Sequence, residues 1–273
     1  MRSFIKSLIP TPALKRIRAT LSARNHSKII QACERSDQIF LKPVNRVEHY
    51  FHFLFDFCLP VWQVIRNSRK ETSFVVRDFG IFTQRVQLLF PNRIEIIPRD
   101  SEPMGLVFSL EGLNPQFVHM SYSDLASFKS HVCETLGIDR SAKKNKVLLI
   151  ERMPPNSYFT SEAVKKGAGA SRRSIPNHQQ LANALQAIVK SPFEFQNIQL
   201  ENLSFEDQIR LFDQAALVIG QHGAGLANCV WMRPQSSVFE LSHKLSLKHF
   251  QNISQVLEHE HHLHRTEGSA RGS

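Results

Sequence analysis

The sequence predicts an α/β protein built from two compact Rossmann-like domains that face each other. Three observations support this fold class: strand and helix patterns alternate along the chain, the alternation falls into two similar blocks, and a polar stretch at 140–146 separates them. The 273 residues are enough for one large domain or two small ones. With 42% apolar and 21% charged residues, the chain can bury an ordinary core.

The first block contains four predicted strands and three predicted helices. Short apolar runs between polar or turn residues indicate strands at 38–42, 73–77, 93–97 and 106–110. Apolar residues at helical spacing indicate helices at 47–67, 82–90 and 123–137. Ser123 is the expected N-cap of the third helix. Parallel strands joined by helices place a ligand at the carboxyl ends of the strands.

The second block repeats this alternation. It has predicted strands at 146–150, 195–200, 216–219 and 237–241. Its predicted helices are 178–189, 205–215, 227–232 and a last one ending near 257. Ser204 and Asp207 form the pattern of a capping box that opens the second of these helices. The predicted organisation is an N-terminal segment at 1–30, domains at 31–140 and 141–258, and a disordered tail at 259–273.

The net charge of +10 is concentrated in two segments. Residues 1–30 contain seven basic residues and no acidic residue, and residues 141–173 contain eight basic and two acidic residues. A general nucleic-acid surface spreads its cations over a face with stacking aromatic residues between them, so two local anion sites fit better. Residues 1–30 are either a basic amphipathic segment at an anionic membrane surface or a disordered tail.

Membrane spans, disulfides and metal sites are not expected. The richest apolar run, 50–65, is interrupted by polar residues and is shorter than the roughly 20 residues of a span. Near the N-terminus, Lys6, Pro10 and Pro12 interrupt any signal-peptide core. The four cysteines lie far apart without a C-x-x-C pair, which favours reduced thiols in a cytosolic compartment. The histidines beyond 259 have no fixed metal-ligand spacing.

The most informative segment is 216–241, in which an apolar strand runs into a glycine-rich turn and a helix begins at once. Backbone N–H groups and the helix dipole then face whatever lies above the turn, as in an anion site. His222 adds an imidazole donor at the same place. Glu240 ends the next strand, where a carboxylate can accept the hydroxyls of a ribose. The alternatives are a tight turn without a ligand and, for Glu240, a surface ion pair.

A second candidate site lies on the aromatic helix predicted at 47–67. His49, His52 and Asp56 form one polar stripe on it. An unpaired carboxylate among phenylalanines is costly, so Asp56 should have a partner. A His–Asp pair one turn apart can act as a base whose imidazole the carboxylate orients. A hydrogen-bonded pair inside the core is the alternative.

Three arginines form a third candidate site. Arg152 follows a predicted strand, and Arg172 and Arg173 precede a predicted helix in the same block as the glycine turn. Guanidinium groups bind phosphate or carboxylate with two parallel hydrogen bonds. Solvated surface charge is the alternative.

Together these segments resemble glycosyltransferase family 61, which has many bacterial members in polysaccharide synthesis. The resemblance covers about residues 45–245, and the glycine string is far more specific than a loose glycine match. It is carried by H-Y-F-H-F-L-F-D-F at 49–57, R-R-S-I-P-N at 172–177, L-S-F-E-D-Q-I-R-L-F at 203–212, G-Q-H-G-A-G-L-A-N at 220–228 and V-F-E-L at 238–241.

The resemblance implies a GT-B arrangement, with a nucleotide-sugar donor held by the C-terminal domain and an acceptor-side N-terminal domain. It implies inversion at the anomeric carbon without an essential metal, and the chain has no D-x-D motif. The implied acceptor-side residues are Asp56 and His52, with His49 beside them. The implied donor-binding residues are Arg152, Arg172, Arg173, His222, Gly223, Ala224, Gly225, Asn228 and, as the ribose contact, Glu240.

The implied function is transfer of a sugar, from a UDP-sugar by expectation, to a hydroxyl of a glycan or lipid-linked acceptor in surface-polysaccharide synthesis. The donor is a substrate, and no cofactor is expected. We expect a cytoplasmic protein at the inner face of the membrane, touching it through the N-terminus, with no specific nucleic-acid partner. One alternative is a non-catalytic module that binds nucleic acid or anionic surfaces through 1–30 and 141–173. A nicotinamide-dependent dehydrogenase fits less well, because the glycine turn comes late in the chain.

Overall fold

The computed structural model describes residues 11–43, 47–110, 121–154, 175–242 and 248–265, with the backbone alone for 11–19. The described strands form one sheet of four and one of five. Every recorded strand pair is parallel. The predicted α/β class with two parallel sheets is therefore confirmed.

The first sheet comes from the N-terminal half of the chain. Its strands are β1 (Gln38–Lys42), β2 (Ser73–Arg77), β3 (Ile94–Ile97) and β4 (Leu106–Ser109). They lie in the order β3-β2-β1-β4, so the direction of winding reverses between β1 and β4. The central strands β1 and β2 each bury three consecutive apolar residues, as expected for strands covered on both faces.

The second sheet comes from the C-terminal half. Its strands are β5 (Lys146–Glu151), β6 (Glu194–Gln199), β7 (Ala215–Gln221), β8 (Ser237–Ser242) and β9 (Glu260–Arg265). The order is β6-β5-β7-β8-β9, which reverses between β5 and β7. In open parallel sheets the crevice at such a reversal, outside the carboxyl ends of the strands, is the usual ligand site.

The helical segments connect these strands. In chain order they are α1 (Thr11–Cys33), α2 (Tyr50–His52), a π-helix (Phe53–Cys58), α3 (Leu59–Asn67), α4 (Thr83–Leu89), α5 (Tyr122–Thr135), α6 (His178–Ile188), a 3₁₀ turn (Leu200–Asn202), α7 (Phe205–Asp213), a 3₁₀ helix (Ala224–Trp231) and α8 (His249–Val256). Ser204 Oγ accepts the backbone N–H of Asp207 at 3.0 Å, which confirms the predicted cap of α7. The cap of α5 is Ser121, which accepts the N–H of Asp124 at 3.1 Å, and not Ser123.

At both ends of the chain, a prediction of disorder is wrong over the described residues. The alternative of a disordered tail at 1–30 fails from Thr11 on, because this part is helical and buries Ser22 and Ile29; the alternative of a basic segment at a membrane surface stays a prediction. The tail predicted as disordered from 259 forms β9, which pairs with β8 from Ser237 to Ser242. The polar sequence of this segment does not predict a strand, because an edge strand is held by backbone hydrogen bonds and needs no apolar face. Residues 1–10 and 266–273 lie outside the described part.

Two further elements differ from the sequence patterns. The helix predicted at 47–67 begins at Tyr50 and contains the π-helical turn Phe53–Cys58. The helix predicted at 227–232 is a 3₁₀ helix from Ala224. Both changes lie where the two halves meet, and π-helical turns occur frequently at functional sites.

The two halves share one apolar core. A continuous cluster of buried side chains runs from the first sheet through the π-helix into the 3₁₀ helix of the second half. The Phe205 ring lies 6.3 Å from that of Tyr50 and 6.4 Å from that of Phe53, measured between centroids. A hydrogen bond also joins the two halves: buried Lys129 donates to the carbonyl of Met232 at 2.7 Å. The helical segment that follows β1 is therefore fixed against the second sheet.

The fold gives the state of the cysteines and the length and polarity of the helices. All four cysteines are buried and none is in a disulfide. Over the described ranges, the helices are too short or too polar to cross a bilayer.

Candidate active site between the two sheets

The glycine-rich turn lies at the reversal point of the second sheet. Strand β7 ends at Gln221, and the backbone N–H of His222 donates to the carbonyl of Leu241 on β8 at 2.8 Å. The 3₁₀ helix starts at Ala224, directly after Gly223. Arg152 follows β5, the strand on the other side of the reversal. The topology thus brings together the turn and one of the three predicted arginines.

The glycines allow close packing around the turn. A Cβ on Gly223 would lie 2.9 Å from Nη1 of Arg152, so the guanidinium rests directly over the turn. A Cβ on Gly225 would lie 2.9 Å from Cδ1 of Leu200, a contact closer than carbon atoms tolerate. Glycine therefore lets a cationic side chain and an apolar one approach the backbone from two sides.

A buried imidazole–carboxylate pair adjoins this turn. Nδ1 of His222 makes a short hydrogen bond to Oε1 of Glu240 on β8, and Nε2 of His261 on β9 lies 2.9 Å from Oε2 of the same carboxylate. His222 and Glu240 are 6% and 2% exposed. Both oxygens of Glu240 therefore accept hydrogen bonds from imidazoles, one on each side.

The environment of Glu240 favours its ionised form. Burial acts to raise the pKa of this carboxyl, but the hydrogen bonds from His222 and His261 outweigh it and hold the pKa below its ordinary value. In this position the carboxylate orients His222 through Nδ1. The predicted ribose contact at Glu240 stays a prediction.

Asn228 has a structural role as well. Its side chain is fully buried; Oδ1 accepts from Tyr50 Oη at 2.6 Å, and Nδ2 donates to Gln208 at 3.1 Å and to the carbonyl of Gly225 at 3.3 Å. Asn228 therefore links the first half of the chain to the turn, and its predicted contact with the donor stays a prediction. Its hydrogen bond to Gly225 holds the turn from the buried side.

His52 and Asp56 form the expected pair on the acceptor side. Their Nδ1 and Oδ2 atoms are 2.5 Å apart, and the side chains are 33% and 27% exposed. Phe53 and Phe57, on the same helical segment, are fully buried. The pair is therefore accessible to solvent and not enclosed in the core, which favours a chemical role over the alternative of core packing. The ring of His49 lies 6.3 Å from that of His52.

His249 connects the two sides of the site, and the sequence analysis missed it. It opens α8, with its ring 6.4 Å from that of His222 and 5.4 Å from that of Phe51, the residue next to His52. Burial lowers the pKa of His249, and the positive charges of His222 and His52 lower it further, against the opposite effects of Asp56 and Glu240. The ring distances thus place His249 near both pairs.

The structure therefore assembles most of the predicted site. Arg152, the turn at 223–225, His222, His52 and Asp56 lie around the junction of the two halves. Arg172 and Arg173 fall outside the described residues. His249 and His261 carried no recognisable motif; their only signal was a histidine-rich end of the chain, which has no periodicity to place it on a strand.

These features define an α/β protein with two parallel sheets, a glycine-rich turn under Arg152 and two imidazole–carboxylate pairs, His222–Glu240 and His52–Asp56. The chain belongs to the Glycosyltransferase 61 family, whose model matches residues 50–239. The resemblance expected from the motifs is thus confirmed. Glu240, His249 and His261 lie beyond the matched segment.

Several characterised proteins show the same relationship over part of their length. EGF domain-specific O-linked N-acetylglucosamine transferase of Canis lupus familiaris is 25% identical over 115 residues, which are 42% of this chain and 19% of that protein. The Rattus norvegicus protein of the same name is 26% identical over 115 residues, which again are 42% of this chain and 19% of that protein. Beta-1,2-xylosyltransferase of Arabidopsis thaliana is 31% identical over 86 residues, which are 31% of this chain and 16% of that protein. The matches span less than a fifth of these relatives.

Proposed function

We propose that this chain transfers a sugar from a nucleotide sugar to an acceptor hydroxyl, with inversion at the anomeric carbon and without an essential metal. The observation that carries the proposal is the closeness of two groups of side chains through His249: its ring lies 6.4 Å from that of His222, beside the turn under Arg152, and 5.4 Å from that of Phe51, next to the His52–Asp56 pair. Family membership supports sugar transfer, and the relatives named above are all transferases of a sugar.

The donor diphosphate would lie over the turn between β5 and β7. Arg152 can bind its oxygens with two hydrogen bonds, and the backbone at 223–225 can approach them without a Cβ in the way. Nδ1 of His222 is bound to Glu240, so Nε2 lies on the opposite side of the ring. We assign Nε2 as the hydrogen-bond donor to the diphosphate. These cationic and dipolar groups would carry the role that a metal plays in other sugar transferases. A UDP-sugar is our first candidate.

The acceptor hydroxyl would lie beside His52. The imidazole takes the hydroxyl proton while Asp56 accepts from Nδ1 and stabilises the charged ring. The acceptor oxygen forms the new bond to the anomeric carbon from the face opposite the diphosphate. The bond between that carbon and the diphosphate oxygen breaks, and the nucleoside diphosphate leaves with the electron pair, stabilised by Arg152 and the turn. Attack from the opposite face inverts the configuration.

We include a GT-B organisation in the proposal, supported by the presence of one parallel sheet in each half of the chain. The acceptor would be a glycan or a lipid-linked sugar in surface-polysaccharide synthesis, reached from the cytoplasmic side of a membrane. Arg24 and Lys28 of α1 are exposed, and the first 33 residues contain no acidic residue before Glu34. These cations support peripheral contact with an anionic leaflet.

The test is a ligand panel followed by turnover. We expect one nucleoside diphosphate among UDP, GDP and CDP, with its sugar conjugates, to raise the unfolding temperature, because a ligand at 100 times its Kd adds about 2.7 kcal/mol of stability. Asp56→Asn should keep this shift and lose turnover by roughly 10²–10⁴-fold, since it removes only the carboxylate that orients His52, the base, and stabilises its charged ring. Asp100→Asn, at an exposed position, is the matched control and should behave as wild type. A panel without any stabilising nucleotide would refute the proposal.

The alternative of a nucleic-acid or surface-binding module has less support in the structure. Over 141–154, the described part of its second basic segment, Lys144 donates to the carbonyls of Pro234 and Gln235 at 3.1 and 2.9 Å, and Lys146 pairs with Glu194. These cations brace the second sheet. A short single-stranded RNA in the same panel tests the module: stabilisation by RNA alone, and only at low salt, would favour it.

A further inference from the structure

The last described strand supplies a side chain to the site. His261 lies on β9, about 20 residues beyond the segment that the family model matches. Its Nε2 is 2.9 Å from Oε2 of Glu240, and its side chain is 9% exposed. This residue therefore contacts the carboxylate that holds His222, although it lies outside the family motifs.

The register of β9 selects His261 for this contact. His261 is paired with Val238, and Leu263 is paired with Glu240, so His261 and Glu240 extend from the same face of the sheet. The next histidine, His262, stacks on Phe239 on the opposite face with centroids 6.0 Å apart. A one-residue slip of the strand would exchange these two faces.

The contact has an electrostatic consequence for Glu240. A carboxylate this deeply buried is stable as an anion only while both oxygens have donors. Without His261, Oε2 would be left without a donor in a buried place, and the proton would be favoured on the carboxyl. A protonated Glu240 would donate its own O–H to Nδ1 of His222, which forces the ring into the opposite tautomer.

We propose that His261 is a positioning residue for sugar transfer: by holding Glu240 as an anion, it keeps His222 protonated on Nδ1 and oriented toward the donor diphosphate. The inference rests on the proposed function, because the benefit of a fixed His222 is stabilisation of the leaving group. It extends that function to a residue on β9 that touches neither substrate.

Among the described residues, titratable groups from several elements lie near Glu240. They are His222 after β7, His261 on β9, His249 at the start of α8 and Cys229 in the 3₁₀ helix. Burial raises the pKa of the Cys229 thiol and the charge of Glu240 raises it further, so this group stays neutral. Burial lowers the pKa of His249, so its charge changes at lower pH than that of an ordinary histidine. The hydrogen bond from His261 is therefore the main contact of β9 with the carboxylate.

The first test is independent of catalysis. Nitrogen NMR of the histidine rings reports which nitrogen of His222 carries the proton, and it is recorded against pH for wild type, His261→Leu, His261→Gln and His264→Leu. We expect the change of His222 tautomer to occur at higher pH in His261→Leu, because Glu240 then takes up its proton more easily. His261→Gln keeps an N–H donor near the same place and should restore the wild-type pH, and His264→Leu, on the opposite face, should match wild type.

The second test measures turnover in the same variants. His261→Leu should lower kcat roughly ten- to hundredfold, the loss that corresponds to one hydrogen bond with a charged group. The KM for the acceptor should stay unchanged, the acid limb of the pH profile should move to higher pH, and His261→Gln should recover most of the rate. If His261→Leu fails to fold, His261→Asn, which is too short to reach Oε2, replaces it with the same expectations.

The two tests separate two kinds of failure. An identical His222 tautomer and pH midpoint in wild type and His261→Leu would overturn the inference, whatever the activity. A shifted tautomer in a protein that transfers no sugar would refute the proposed function and with it the catalytic purpose of His261. A lowered rate that His261→Gln does not restore would mean that His261 only stabilises β9, and would also overturn the inference.

Discussion

Replacing Tyr50 by phenylalanine tests how the two halves of the chain are joined. Tyr50 Oη donates to Oδ1 of Asn228 at 2.6 Å and accepts from Nε1 of Trp231 at 3.2 Å. Asn228 and Trp231 are both 0% exposed, so the substitution leaves one buried acceptor and one buried donor without this partner. At about 1–3 kcal/mol for each unsatisfied group, the free energy of unfolding should fall by about 2–6 kcal/mol.

Urea denaturation followed by circular dichroism and tryptophan fluorescence measures this loss. Trp231 and Trp62 lie in different halves, so the two signals together show whether the halves still unfold in one transition. Tyr122→Phe is the control, because that tyrosine is 47% exposed and its loss should change the free energy by less than about 0.5 kcal/mol. Equal stability of Tyr50→Phe and Tyr122→Phe would show that the junction does not depend on this hydrogen-bond chain.

Two other predictions concern the turn and a buried charge. Gly225→Ala should destabilise the protein by about 1–3 kcal/mol, because its Cβ meets Leu200; in a Leu200→Val background, which lacks the contacting methyl, the cost in a urea titration should shrink. An equal cost in both backgrounds would contradict this steric argument. Burial, and then the charge of Arg140, lower the pKa of Lys129 to about 7, against the attraction of Asp213. Since the unfolded chain keeps this proton up to about pH 10, stability should rise between pH 7 and 10, and Lys129→Met should flatten this part of the pH curve. An unchanged curve in the variant would show that Lys129 titrates normally.

Features that depend on residues close together in the chain were predicted correctly from the sequence. The alternation of apolar strands and helices led to the two parallel sheets, because each pattern depends only on which face is buried. Ser204 was recognised as a cap because capping needs a hydroxyl and an N–H three residues apart. His52 and Asp56 were paired correctly, since one helical turn brings them together whatever the tertiary structure.

Other features depend on contacts that no local pattern records. The partners of Glu240 come from the residue after β7 and from β9, so its burial and its two imidazole contacts appear only when the sheet is assembled. Asn228 belongs to the specific glycine string but bonds to Tyr50, 178 residues away, and the sequence could not separate packing from ligand binding. β9 is an edge strand of mostly exposed polar residues, which has the composition of a tail.

The donor affinity of Arg152→Gln, compared with that of Lys143→Gln, tests the central claim most directly. Both substitutions remove one positive charge from the second basic segment, but Arg152 lies over Gly223 whereas Lys143 is an exposed residue before β5. Titration calorimetry with the nucleoside diphosphate should show a roughly ten- to hundredfold weaker Kd for Arg152→Gln and an unchanged Kd for Lys143→Gln. Equal weakening of both variants would contradict a donor site at the β5–β7 reversal and would point to diffuse electrostatic attraction instead.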